Sequence, residues 1–205
     1  MKTLLLLGAI ALTLNSYSQG TISFIPSNPS VCSGDDVTIV SQLSTSAPAL
    51  NFPYSKTTGT EIFVSTTGSD LAGDGSQGNP YQTIQVGISN ASNGQIVTIL
   101  PGTYTGIGNV NISTQGKQIT VQSEDGPLTT IIDCELNERG FMVNQGETMS
   151  TIIKGLQIIN GQTNSAPLGY GSAIFVEDNS GLTILECIFQ NNQEGCIKLG
   201  DTETA

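Results

Sequence analysis

The sequence has no histidine and no tryptophan, and only six of its 205 residues are lysine or arginine. With no histidine, and with Cys32, Cys134, Cys187 and Cys196 irregularly spaced, no zinc-binding pattern can be drawn. Aromatic residues make up 5% of the chain, five Tyr and six Phe, too few for a broad sugar-stacking platform. Charged residues make up 11%, which excludes the Ala/Glu/Lys/Leu-rich make-up of helical bundles and coiled coils. The formal net charge is −11 and the pI about 4.1, so the surface repels nucleic acid and anionic lipid. Neither is expected as a partner. The same charge repels an acidic polysaccharide unless a cation bridges the two.

What remains is Gly, Ser, Thr, Asn and Gln around a 37% apolar fraction. That mixture suits many short strands joined by turns, in a chain long enough for one domain and some extras. The first segment stands apart. Lys2 is followed by a 12-residue apolar run, Thr3–Leu14, and Ser16 and Ser18 are small residues at −3 and −1 of a cleavage site before Gln19. Residues 1–18 therefore read as a secretory signal peptide, since a membrane span needs about 20 apolar residues. No later stretch spans a bilayer, so the mature chain is expected to be secreted, extracellular or on the cell surface, without membrane insertion. Export permits disulfides. The cysteines read either as small buried thiols or as a Cys187–Cys196 bridge.

Residues 19–60 form a short β-rich extension and linker. Val37 and Ile39 alternate with polar residues next to a Ser33-Gly34-Asp35 turn. "VCSGDDVTI" resembles an early strand of immunoglobulin-like modules, but so short a segment cannot form a sandwich of about 100 residues. From residue 61 to 205 the pattern changes. "EIFVSTT" reads as a strand, followed by a Gly/Asp loop over Gly68–Gln85. A short helix then follows, with Asn79 as N-cap and Pro80 at its first position. Ile84, Ile88 and Ala91 fall on one face of it.

Beyond the helix, short β-rich runs recur. Val97, Ile119 and Phe141 are spaced by 22 residues, as are Ile131 and Ile153, and Ile174 precedes Ile197 by 23. Phe141 to Ile174 and Ile153 to Ile184 are longer, 33 and 31, and both cross the turn-rich Gly161–Gly171 stretch. An inserted loop there accounts for both. A short fixed period without further helices predicts an all-β parallel β-helix, a solenoid of ~22-residue coils with a short N-terminal capping helix. Asn137, Asn160 and Asn191 follow strands, where Asn tolerates a left-handed corner and can stack in a ladder.

These residues resemble a known family. "IFVSTTGSDLAGDGSQGNPYQTIQVGI" with "GQIVTILPGTYTG" resembles the opening of secreted right-handed parallel β-helix proteins of the pectate-lyase-like superfamily. "TIIDCELNERGFMV" resembles the next coil. Gly171-Ser172-Ala173-Ile174-Phe175 and Phe189-Gln190-Asn191-Asn192 resemble repeat steps of polymorphic outer-membrane and adhesin-like β-helices of bacterial surfaces. The resemblance covers about residues 61–200. It implies a right-handed coil, with the Gly68–Gln85 loop and helix as a lid on the first turn. The chain stops just after a strand in "CIKLGDTETA", so the β-helix is expected to be truncated at its C-terminus.

The fold hosts both enzymes and scaffolds. A lyase of this kind needs a basic residue beside carboxylates that hold Ca²⁺ against an acidic sugar. The basic candidates are Arg139, Lys56, Lys117, Lys154 and Lys198. Arg139 falls in an "NERG" turn, and Lys154 and Lys198 point out from strands, so all three are expected to be solvated. Asp125, Asp133, Asp178, Glu177, Glu186 and Glu194 are scattered, and no two align with a Lys or Arg. No carboxylate pair for a hydrolase can be placed, and the polygalacturonase-like branch expects a histidine that is missing. Asp70 and Asp74 are the metal candidates, oxygen donors among glycines, although "DLAGDG" lacks EF-hand spacing. Tyr104 and Tyr170 are sugar-contact candidates, with turn packing as the alternative role. The reading is a secreted or surface-displayed binding scaffold for a polysaccharide or cell-surface ligand, with no required cofactor. The alternative is a Ca²⁺-dependent polysaccharide lyase.

Overall fold

The computed structural model describes residues 37–38, 54–163, 171–177, 179–193 and 196–199. Its elements in chain order are β1 (Val37–Thr38), β2 (Glu61–Val64), α1 (Ile84–Asn90), β3 (Ile96–Ile99), β4 (Gly102–Tyr104), β5 (Ile112–Ser113), β6 (Thr120–Ser123), β7 (Thr130–Asp133), β8 (Phe141–Val143), β9 (Ile152–Lys154), β10 (Gln157–Ile159), β11 (Ile174–Val176), β12 (Thr183–Leu185), β13 (Ile188–Gln190) and β14 (Ile197–Leu199). From β3 onward the chain visits three sheets in a fixed order, four times over. The first sheet holds β2, β3, β6, β9 and β12, the second β4, β7, β10 and β13, and the third β5, β8, β11 and β14. All pairing between coils is parallel. β1 joins the second sheet antiparallel to β13. This is the parallel β-helix implied by the resemblance to pectate-lyase-like proteins.

Alternation along each strand builds the core. Successive side chains point to opposite faces, so in Thr130–Asp133 and Gln157–Ile159 one isoleucine enters the lumen and its neighbour does not. Ile132 and Ile158 are buried, while Ile131 and Ile159 are half-exposed. Val97, Val121, Ile153 and Ile184 stack on the first sheet, and Phe141, Ile174 and Ile197 on the third.

The coil length is not a constant 22. Val97 pairs with Val121, 24 residues on, and Val121 with Ile153, 32 on. Intervals run from 23, Ile174 to Ile197, to 35, Ile62 to Val97. The 22-residue series joined residues of different sheets: Val97 lies in the first sheet and Phe141 in the third. The two long intervals, Phe141 to Ile174 and Ile153 to Ile184, are true register pairs. An insertion at Gly161–Gly171 does not explain them all, because Val121 to Ile153 is as long without crossing it.

The N-terminal end is closed as expected, but the helix starts later. Thr83, not Asn79, is its N-cap, with Thr83 Oγ1 accepting from the Val86 amide. Residues 75–81 instead act as an edge for β2. Phe63 N–H donates to Gly75 O, Tyr81 N–H to Phe63 O and Ser65 N–H to Tyr81 O, at 2.8, 3.0 and 2.9 Å. Ile84 and Ile88 are fully buried over the lumen and Ala91 nearly so. Each isoleucine contributes about 2 kcal/mol of apolar burial. The helix also stands in for a strand above β5. The Gln85 side-chain amide donates to Ser113 O and its oxygen accepts from Ser113 N–H.

The asparagine ladder is corrected in part. Asn160 and Asn191 take left-handed corners, φ 55° and 54°, one above the other. Asn137 does not; Glu135 and Leu136 make that corner. The Asn160 amide donates to Asp133 Oδ1 at 2.9 Å instead of to a second asparagine. Asn109 and Asn192 are the buried amides that tie coils together. Asn109 accepts from Ile84 N–H, and Asn192 accepts from Gly161 N–H and donates to Ile158 O.

Candidate functional site

Among the described residues, a set of charged side chains lies on the outer face of the first sheet, under residues 54–57 of the linker. Outward positions there follow the register Phe63, Thr98, Gln122, Lys154 and Leu185, one per coil. The linker crosses this row as a strap. Tyr54 Oη donates to Ser123 O at 2.6 Å, and Lys154 Nζ donates to Ser55 O. Lys56 Nζ bridges Glu61 at 3.1 Å and Glu124 at 2.6 Å, 5.6 Å from the centre of the Phe63 ring. The Gln122 amide pairs with the Thr57 backbone in both directions, each bond 2.9 Å.

Glycine shapes the tyrosine slot. Gly126 and Gly155 have φ of 94° and 63°, and a Cβ on them would stand 3.0 and 2.3 Å from the Tyr54 ring. Lys154 Nζ lies 5.5 Å from that ring's centre. Two carboxylates do therefore converge on a lysine, but they are Glu61 and Glu124, outside the scattered acidic set read from the sequence. Burial lowers the Lys56 pKa, but hydrogen bonds and charge from Glu124 and Glu61 outweigh it and leave the ammonium above the usual lysine range. That lysine is held protonated and is a poor base.

Other basic candidates have structural posts. Arg139 is not solvated: it is 0% exposed, its Nε donates to Gly171 O at 3.4 Å and its guanidinium lies 5.5 Å from the Phe175 ring centre. Lys154 is also buried, under the strap. Lys117 Nζ donates to Ile88 O and Ser89 O, at 2.7 and 2.9 Å, so a cation satisfies carbonyls in the last turns of α1. Lys198 belongs to β14, with its side chain outside the described residues. Tyr104 is buried, its hydroxyl donating to Leu100 O at 2.8 Å, so it takes the packing role. Tyr170, Asp178, Glu194 and Cys32 lie outside the described residues.

Cys134, Cys187 and Cys196 are buried, and the Cys187–Cys196 bridge is not formed. Burial pushes both Cys134 and Cys187 up to about 12, which keeps them protonated and inert. In the opening loop, Asp70 Oδ1 accepts from the Gln82 and Thr83 amides at 2.8 and 2.9 Å, and Asp74 Oδ1 from Ser76 N–H at 2.9 Å. Hydrogen bonds from Ser76 hold the Asp74 carboxyl below its ordinary range. Among the described residues no three His, Cys, Asp or Glu side chains gather as a metal site.

The second sheet turns a different face outward. Thr103, Ile131, Gln157 and Ile188 form one row and Asp133, Ile159 and Gln190 the next, with Gln157 Nε2 donating to Gln190 Oε1 at 2.6 Å. Apart from the exposed Thr103, these residues are half-exposed. A shallow cleft of about 190 Å³ lies at another corner, lined by Gln95, Gln118, Thr120 and Ser150 among others.

The fold and these surfaces define a parallel β-helix that keeps one sheet face under its own linker and presents amide side chains on another. No family model matches the chain, and no curated protein does. Among solved structures a rhamnogalacturonan lyase is similar, with a TM-score of 0.42 and 17% sequence identity, over 60% of this chain and 34% of that one. The chain thus spans about a third of the lyase's length. Among the described residues, no helix is long and apolar enough to cross a membrane.

The strap site was only partly legible in the sequence. Lys56 and Lys154 were candidates, but Tyr54, Glu61, Gln122 and Glu124 were not. Apart from Lys56–Glu61, five residues apart, the contacts of the strap with the sheet join residues 65 to 99 apart, and no local motif marks them.

Proposed function

We propose that the protein is an exported β-helix scaffold that binds a glycan or another surface polymer on an exposed strand face. The Lys56 cluster carries this reading. The two carboxylates that do converge, Glu61 and Glu124, are paired with a protonated lysine under the strap and are not turned outward to a cation or a sugar. The Gln157–Gln190 face of the second sheet, with Asp133 and Asn160 beside it, offers amide and carboxylate groups suited to sugar hydroxyls. A Ca²⁺-dependent polysaccharide lyase is the second reading, with Asp70 and Asp74, the oxygen donors of the opening loop, as its metal candidates.

One assay separates them. The mature chain is incubated with acidic and neutral polysaccharides, with calcium or chelator, and unsaturated product is followed in the ultraviolet. The expected result is a flat trace together with retention on at least one polysaccharide, and retention weakened by Gln157→Ala with Gln190→Ala. Calcium-dependent product would establish the lyase and make Asp70 and Asp74 ligand candidates. A flat trace with no retention would defeat both readings.

A further inference from the structure

We infer that the outer face of the first sheet is a binding site for an extended peptide with an aromatic residue two positions before a lysine, and that Tyr54–Thr57 is its resident ligand. The contacts are those of peptide recognition and not of simple chain packing. Gln122 reads the Thr57 backbone through paired hydrogen bonds, as a neighbouring strand would. Lys154 takes the Ser55 carbonyl. Two side-chain positions are then selected. The aromatic slot requires the bare backbone of Gly126 and Gly155, since a Cβ at either would meet the Tyr54 ring. Its phenol donates to the Ser123 carbonyl. The cation slot is built from Glu61, Glu124 and the Phe63 ring, a mixed carboxylate and aromatic cage suited to an ammonium.

These parts come from β2, from β6 and the turn after it, and from β9 with Gly155, so with β3 between β2 and β6 the site spans four successive layers of the first sheet. The strap joins β2 through the exposed Thr58-Gly59-Thr60, which is short enough to keep the ligand at high local concentration. A site filled in this way rejects the same peptide from solution until the tether lets go. This inference does not rest on glycan binding, which uses the second sheet.

The test uses the whole mature chain and a fluorescent peptide of sequence Tyr-Ser-Lys-Thr-Thr-Gly-Thr. Wild-type protein is expected to leave the peptide free. Tyr54→Ala with Lys56→Ala empties both slots and is expected to bind it saturably. Adding Gln122→Ala to that variant is expected to weaken binding by about tenfold, the worth of the lost backbone pair. A folded double variant that binds no peptide, or binds it regardless of Gln122, overturns the inference. If the double variant does not fold, hydrogen exchange on the wild type decides. Peptide at about 10 mM, above the effective concentration of a short tether, is expected to speed exchange of the Thr57 amide without touching the lumen strands. Exchange unchanged by peptide would overturn the inference equally.

Discussion

Glu147 is a buried carboxylate that holds a corner of the coil together. Its Oε1 accepts from the Thr114 hydroxyl at 2.6 Å and from Gly116 N–H at 2.9 Å, and its Oε2 accepts from Gln145 N–H at 2.8 Å. Burial raises its pKa, but these hydrogen bonds outweigh burial and leave it below the ordinary glutamate value. A depressed folded pKa adds stability above the unfolded pKa, which is lost as pH falls through the folded one. Glu147→Gln replaces an acceptor pair with a half-donor and is expected to cost about 2 kcal/mol at neutral pH. Urea unfolding at stepped pH should show the gap between the two proteins closing below about pH 4. A gap constant with pH would mean that the carboxylate charge has no part in it. Neither Glu147 nor the burial of Arg139 was legible in the sequence. Both lie in turns, which read as solvated until the next coil is stacked on them.

At the scale of elements, the opening loop and α1 act as one lid. Ile84, Ile88 and Ala91 were legible because a helical face is a property of nearby residues. The helix start was not. Asn79 and Pro80 carry good capping chemistry, but Asn79 Nδ2 donates to Ala72 O and Tyr81 is bonded to β2, so this stretch is held extended. Tertiary pairing overrides the local signal. Asp70 then supports the true start by accepting from the Gln82 and Thr83 amides. Asp70→Ala is expected to lower stability by about 1 kcal/mol, the usual worth of such a cap, and equally in calcium and in chelator. Calorimetry of both proteins checks it. A loss seen only with calcium present would instead assign Asp70 to a metal.

For the whole molecule, the register makes a sharp claim at two adjacent residues. Ile132 faces the lumen and Ile131 faces outward. Ile132→Asp puts an unpaired carboxylate in the core and is expected to abolish cooperative unfolding. Ile131→Asp is expected to leave a folded protein, within about 1 kcal/mol of wild type. Circular dichroism melts distinguish them, and the reverse order would mean the strand is shifted by one residue. The sequence by itself determined the β-helix class, the short strands and the helical lid, because each shows in runs of residues close together in the chain. Only the tertiary structure decided which strands share a sheet, where the strap lies and which charges are buried. Turns of unequal length separate paired residues by 23 to 35 positions, so hydrophobic spacing marks that strands recur but not which sheet each joins or which of two adjacent isoleucines faces inward.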